Sequence, residues 1–507
     1  MSENLNSQQL RAYEEIIKGE NVCIVGQGGT GKSYLCELIN DEHTLFICPT
    51  GMAALNLSSD ARTIHSTLML GSKSLSAWNW MKVKDSIAKN LDKLKKFFDK
   101  YTRLVFDEGS MIISGLFDTY LNTFHMVYET SSDILFNNKQ VVMILDPLQL
   151  PAIKNTCEPY INAKKKENSK PLTKTDLIIY NPAFMTLFGL TQGNIIHFTE
   201  NMRCNNEAWR NVLFHCRTGF NLCESVEEKS RILDLLNSRV YARSSLVSGN
   251  ELYDLNHKSL KTSFRRDFIE NLNNKHMNKL KGVRYIIDRD PIPIEDFIQL
   301  NAESGYTKKE LCKIHTDGLN YMDDLGSYHV IRGYENGTYT WNTEFTITVG
   351  QLVMYRKNET NLPIRNGSLG EIVKINHSGG VVSSIIIKFQ GIDKPIEIVK
   401  STFEHPDWNT LRVTAFPIIT AFAITIHKLQ GQTLDFPVLI HYSNIPEIIP
   451  NYTKKEHLLY TAISRCRKME DVYIISDSKI TEEYFPVNKF MFDWWREIYD
   501  DQPVSLD

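Results

Sequence analysis

Residues Gly26-Gln27-Gly28-Gly29-Thr30-Gly31-Lys32-Ser33 stand between a short apolar, β-branched run, Val22-Cys23-Ile24-Val25, and a stretch from Tyr34 to Ile39 with helical apolar spacing. Strand, glycine-rich loop and helix in that order is the setting in which G-x-x-x-x-G-K-[ST] counts as a phosphate site. Gly26, Gly28, Gly29 and Gly31 let the backbone turn tightly and point successive N–H groups inward. The helix beginning near Lys32 adds the positive end of its dipole. Lys32 is positioned for β- and γ-phosphates, and the Ser33 hydroxyl for Mg²⁺.

At 507 residues the chain exceeds what one hydrophobic core supports, so about two to four domains are expected. The formal net charge of −3 does not advertise nucleic-acid binding, and any basic surface must be local. Nine cysteines occur without a C-x-x-C pair, several in apolar strand-like runs such as Cys23 and Cys48, which reads as buried free thiols in a reducing compartment. His215-Cys216 with Cys204 and Cys223 fits no defensible zinc spacing. The N-terminus lacks an apolar leader and no run reaches membrane-spanning length, so a soluble, unsecreted protein is expected, without distinguishing nucleus, cytoplasm or a viral replication site. With almost nothing before Gln9, no long targeting or regulatory segment is expected there, and a viral or phage replication protein is compatible with that.

Leu5 to Lys18 has amphipathic spacing, and its Gln9 is either a purine-reading amide or a solvated helix-face residue. Thr44 to Cys48 is a buried strand ending in Pro49-Thr50-Gly51. Residues 68–100 carry Trp78, Trp80 and a lysine-rich helical stretch, suited to a solvated face or to a nucleic-acid strand. Arg103-Leu104-Val105-Phe106 delivers Asp107-Glu108 at its end, the first carboxylate suited to Mg²⁺ and the second to orienting or deprotonating water. Val141 to Leu145 leads into Asp146-Pro147-Leu148-Gln149, where Gln149 is either a γ-phosphate sensor or a turn residue. Strands separated by helices predict parallel, doubly wound sheets with ligands at the carboxyl ends.

Lys164-Lys165-Lys166 sits in a polar, loop-like segment. Residues 205–291 read as mainly helical, and Lys313-Ile314-His315 as a short strand. Between Gly337 and Val399, short strands separated by Asn366-Gly367 and Gly379-Gly380 turns predict a small β-barrel, with helix and parallel-strand character resuming near Phe416. Two late stretches then stand out: 424–435, and the helical 459–467 with Arg465. Arg465 and Arg203 are candidates for arginine fingers or for ordinary ion pairs.

Together these stretches resemble superfamily 1 helicases of the branch containing the Pif-one and RecD-type DNA helicases and phage Dda. GQGGTGKS resembles motif I, PTGMAA motif Ia, DEGS motif II, DPLQLP motif III, TENMR motif IV, TIHKLQGQTLD motif V and YTAISRCR motif VI, in family order. The resemblance implies two RecA-like P-loop domains, an SH3-like β-barrel inserted in the second and a wedge inserted in the first. The boundaries expected are 1–200 for the first motor domain, with the wedge at about 66–100. The second motor domain is expected over 201–336 and 411–507, around a barrel at 337–410.

By the same resemblance, Gln9 reads adenine. Residues Gly26 to Ser33 hold the phosphates, Ser33 and Asp107 hold Mg²⁺, and Glu108 acts on water. Gln149 senses the γ-phosphate, and Arg203 and Arg465 are fingers. Gln430 and Gly431 couple nucleotide to DNA, while Pro49, Thr50, His65, Thr425 and His427 line the single-stranded DNA path. An ATP-dependent DNA helicase moving 5′ to 3′ on single-stranded DNA and opening forked duplexes is implied, acting as a monomer. Two rivals stay open: an RNA-acting motor of the same kind, and a DNA-stimulated ATPase that remodels protein–nucleic-acid complexes without unwinding. Leu145 stands where motif III usually has glycine, and Gly109 where motif II usually has an aliphatic residue.

Overall fold

The computed structural model describes residues 5–49, 53–54, 57, 61–69, 79–150, 152, 172–189, 194–204, 206–246, 259–263, 266–288, 290–302, 307–322, 332–335, 338–341, 344–357, 362–364, 367–404, 410–429, 434, 437–442 and 457–500. Residues 70–78 of the expected wedge segment, Lys164-Lys165-Lys166 and the Asn366 turn residue lie outside them. Two compact units are present, Met1–Arg265 with Thr425–Asp507, and Arg266–Ile424.

The first unit contains a six-stranded sheet. Its strands are β1 (Val22–Gly26), β2 (Thr44–Cys48), β3 (Arg62–Thr63), β4 (Arg103–Phe106), β5 (Gln140–Leu145) and β6 (Ile195–Phe198), in the order β3-β2-β4-β5-β1-β6. Every pairing is parallel. The apolar runs are continuous because both faces are buried. Cys23 and Val25 of β1, Leu104 and Phe106 of β4, and Met143 and Leu145 of β5 join one core layer. Ile24, Val105, Val142 and Ile144 join the layer on the other face. The first layer is rich in aromatics, Phe106, Phe117, Tyr120, Phe124 and Phe136 among them. It also takes in Met491, Phe492, Trp494, Trp495 and Ile498 of the helix Lys489–Asp500.

A second parallel set in this unit runs Leu260–Ser263, Val438–His441, Val472–Ile475, Val240–Tyr241. The chain is therefore α/β, with parallel sheets flanked by helices. No helix among the described residues is long and apolar enough to cross a membrane. The described cysteines are free thiols, most of them buried.

The second unit is dominated by an antiparallel five-stranded sheet in the order Ile396–Ile398, Val381–Phe389, Leu369–Ser378, Leu352–Tyr355, Ile418–Thr420. Val353, Tyr355, Ile372, Ile385, Ile387, Phe389 and Ile418 fill its core. Gly379 and Gly380, at φ 57° and 86°, make the tight turn between its two long strands, as the Gly-Gly pair predicts.

Two sequence expectations are corrected here. Ile418–Thr420 pairs antiparallel with Leu352–Tyr355, so the antiparallel sheet extends to Thr420, a few residues past the boundary expected near Phe416. Lys313-Ile314-His315 is not a strand but part of the helix Lys308–Met322. Three residues with a single apolar side chain, Ile314, fit either period, and the flanking pattern, with buried Leu311 packed beside Phe297, settles it as helix.

Candidate functional site

In sheet order β4-β5-β1-β6, four adjacent strands deliver Asp107-Glu108, Asp146 to Gln149, the glycine-rich loop and Asn201 to Arg203 at their carboxyl ends. Topology thus gathers residues far apart in the chain along one edge of the sheet. They line a cleft of about 280 Å³ with Gly28, Gly29, Gly31, Lys32, Ser33, Asp107, Glu108, Asp146, Gln149, Arg203, Arg465 and Arg467.

Gly29 and Gly31 take φ of +92° and +81°, which L side chains rarely adopt. A Cβ on Gly28 would lie 3.3 Å from Gln149 Nε2, 3.4 Å from Arg203 Nη1 and 3.5 Å from Arg465 Nη2. The sensor candidate and both finger candidates therefore meet over one loop residue. The loop is also tied to β6: Met202 N donates to Gly29 O at 2.8 Å, and Asn201 Nδ2 to Gly28 O at 3.3 Å. Asn201 Oδ1 accepts from Arg203 N and Cys204 N, at 2.9 and 3.1 Å, and so shapes the turn that presents Arg203.

Lys32 Nζ donates to Gly26 O and Gln27 O at 2.7 and 2.8 Å. Burial lowers its pKa, while Asp146, Glu108 and Asp107 pull the other way. Arg203 Nη1 donates to Ser464 O at 3.0 Å. Its pKa is pushed down to about 10, by burial and then by Arg465. Arg465 is 2% exposed and is held by Thr461 O and Ser464 Oγ at 2.9 and 3.1 Å. Two buried guanidiniums that crowd each other form a site that a polyanion relieves.

Burial, and then the neighbouring Glu108 carboxylate, holds Asp107 well above the usual carboxylate range, with Lys32 offsetting only part of this. The Ser33 hydroxyl and the Asp107 carboxylate are hard oxygen donors, and a divalent cation would relieve the crowding of the carboxylate pair, so the set fits Mg²⁺. Glu108 has a left-handed backbone, φ 52° and ψ 40°, in the turn that follows β4. The next residue bears on a departure from the motif: a Cβ on Gly109 would lie 2.6 Å from Met143 Sδ and 3.2 Å from Ile144 O, so an aliphatic side chain there would have to displace Met143 and crowd the β5 backbone.

Gln9 is 2% exposed. Its Oε1 accepts from Asn6 N at 3.1 Å within a capping box, and its Nε2 donates to Thr30 O at 3.1 Å. Its amide thus steadies the glycine-rich loop in this state. His65 is half-buried, and burial lowers its pKa. Pro49 and Thr425 are half-buried at the ends of their strands. His427 lies in the turn Ile426–Leu429, and Thr50, Gln430 and Gly431 lie outside the described residues.

Sequence reasoning passed over Asn201, Asp146 and Arg217. Arg217 Nη2 meets Asp146 Oδ1 at 2.7 Å, both side chains 2% exposed. Arg217 is the last residue of the helix Glu207–Arg217, where a basic side chain is ordinary, so no local signal marked its buried partner. Near it, His215 Nδ1 faces Cys223 Sγ at 3.3 Å and His215 Nε2 faces Glu228 Oε1 at 3.6 Å. Opposite ring nitrogens address the two partners, which does not suit one shared ion.

Residues 4–185 match the model of the PIF1-like helicase family. The ATP-dependent DNA helicase Pif1 of Campylobacter jejuni is 22% identical over 95% of this chain and 94% of its own. The Pif1 helicase of Candida albicans superposes with a TM-score of 0.68 at 16% identity, covering 97% of this chain and 99% of that one. A Bacteroides Pif1 bound to single-stranded DNA gives 0.60 at 21% identity, covering 98% and 97%.

Proposed function

We propose that this chain is a PIF1-like helicase that hydrolyses ATP to move along single-stranded DNA, 5′ to 3′, and to open forked duplexes. The observation that carries the proposal is the convergence of Gln149, Arg203 and Arg465 on Gly28, above a loop that ends in Lys32-Ser33. A nucleotide would enter with its phosphates on this loop. Lys32 would exchange the Gly26 and Gln27 carbonyls for phosphate oxygens. Ser33 and Asp107 would hold Mg²⁺, whose chemistry is to neutralise charge that builds on the phosphates. Glu108 takes the proton of the attacking water. Gln149 donates to the γ-phosphate, and Arg203 and Arg465 stabilise the charge of the transition state.

Arg203 and Arg465 approach the phosphates from the turn after β6 and from the segment after Leu458–Ile463. Loss of the γ-phosphate would therefore loosen those two elements from the loop. In the proposal that loosening is passed to DNA through Gln430 and Gly431 and through Pro49, Thr50, His65, Thr425 and His427. In the proposal a single chain would supply these groups.

The test is unwinding of a forked DNA duplex with ATP and Mg²⁺, using 5′-tailed and 3′-tailed forms and a Lys32→Ala control. Unwinding from the 5′ tail alone, abolished in the control, is expected. ATP hydrolysis with no unwinding on either tail would replace this reading with that of a remodelling ATPase.

A further inference from the structure

The helix Lys489–Asp500 follows the last helicase motif and carries none, yet its Trp495 packs on Arg217, the partner of Asp146 in the cleft. Asp146 divides its two oxygens between two tasks. Oδ1 accepts from Arg217 Nε and Nη2, at 3.1 and 2.7 Å, and from Leu148 N at 3.2 Å. Oδ2 accepts from Gln149 Nε2 at 2.8 Å. The Arg217 guanidinium lies 4.9 Å from the ring of Trp495, which is fully buried. Trp495 Nε1 in turn donates to His197 Nε2 at 3.4 Å. His197 belongs to β6, the strand that leads to Asn201 and Arg203.

Resting on the reading of the cleft as an ATP site, we propose that Arg217 and Trp495 are positioning residues for Gln149. Their chain is Trp495 ring, Arg217 guanidinium, Asp146 carboxylate, Gln149 amide. Two N–H groups of Arg217 converge on Oδ1, and Leu148 N adds a third donor there, which anchors that oxygen and leaves Oδ2 for the amide. The free oxygen then takes one of the two amide hydrogens of Gln149, which sets the direction of the second hydrogen and of the amide carbonyl. The aromatic face beneath Arg217 leaves the guanidinium edge for Asp146. A buried ion pair is a poor way to gain stability alone, whereas fixing a side chain's orientation is a use for which it is suited. The residues join distant parts of the chain: Arg217 lies 71 positions from Asp146, and Trp495 lies 298 from His197.

A double-mutant cycle on the full chain tests this. Arg217→Lys keeps the charge but loses the two-pronged donor. Trp495→Phe keeps a ring but loses Nε1 and much of the cation–π contact. Each is combined with Gln149→Ala, and kcat and KM for ATP are read with single-stranded DNA and Mg²⁺, beside ADP affinity and a thermal melt.

The expected result is a fall in kcat of about tenfold for Arg217→Lys and about threefold for Trp495→Phe, with ADP affinity within about twofold. In the Gln149→Ala background both losses shrink below about twofold. Losses that persist in full without Gln149 overturn the proposal, because the residues would then act on folding or on another group. So does an unchanged kcat in the folded variants. If Arg217→Lys does not fold, the Trp495→Phe arm decides by the same criteria. Wild-type protein that hydrolyses no ATP refutes the ATP-site reading and this proposal with it, whereas hydrolysis abolished by Lys32→Ala leaves only the positioning claim at stake.

Discussion

Gly28→Ala probes the cleft with one methyl group. The position does not use a left-handed φ, so alanine brings no backbone strain. The new Cβ would lie 3.3 Å from Gln149 Nε2, 3.4 Å from Arg203 Nη1 and 3.5 Å from Arg465 Nη2. All three neighbours are ends of flexible side chains, which give way by a few tenths of an ångström. Stability should therefore change by less than about 1 kcal/mol, a shift in melting temperature under about 4 °C. Activity is another matter, because the displaced tips are the groups assigned to the γ-phosphate. Removing one donor of this kind outright costs about 2.7–4 kcal/mol in the transition state, and a full arginine finger about 10³–10⁵ in rate. A shift weakens such contacts without deleting them, so we expect kcat to fall about 10–100-fold, or about 1.4–2.7 kcal/mol. The assay is steady-state ATP hydrolysis with single-stranded DNA, beside ADP affinity and a melt. A folded variant with kcat within about twofold of wild type would refute the convergence of the three tips on the reacting phosphate.

Gly109→Val forces a side chain against Met143 Sδ and Ile144 O, and the overpacking should lower stability by about 1–3 kcal/mol, read as a lower denaturant midpoint. A midpoint equal to wild type would show that the turn after β4 relaxes freely. Asn201→Ala leaves Arg203 N and Cys204 N without their acceptor and should lower kcat more than it weakens ADP binding; equal effects on both would count against it.

Acid should destabilise the protein through histidines kept neutral by burial. His197 and His457 are each pushed down to about 3, and His441 to about 4, burial being the first cause in each. The unfolded chain protonates them near pH 6.5 while the fold does not. Their contribution is thus complete above pH 6.5 and falls as pH drops, by about 2 kcal/mol each at pH 5. A melting temperature that stays flat from pH 7 to 5 would contradict this.

Much of the cleft is legible before folding because its signals are local. Glycines at fixed spacing, an apolar strand before them and carboxylates at the end of another strand are short-range patterns, and the neighbouring residues alone enforce them. Their meeting place follows from one further rule, that parallel strands present their carboxyl ends together. The short strand expected at Lys313-Ile314-His315 shows the limit, since three residues carry too little periodicity to choose between helix and strand. Gln9 shows another: a glutamine on a helix announces an amide, but not that Asn6 and Thr30 occupy both of its ends.

By itself, then, the sequence determined the phosphate loop, the acidic pair after β4, the two-faced burial of the first sheet and the glycine turn of the antiparallel one. Each depends on backbone preferences and hydrophobic periods that act over a few residues. Tertiary structure alone decided that Arg217 would neutralise Asp146, that Trp495 would lie beneath Arg217, and that Gln149, Arg203 and Arg465 would meet at Gly28. Those contacts join positions tens to hundreds of residues apart, and their energies exist only once the strand order and the packing of the last described helix bring the groups within a few ångströms and away from water.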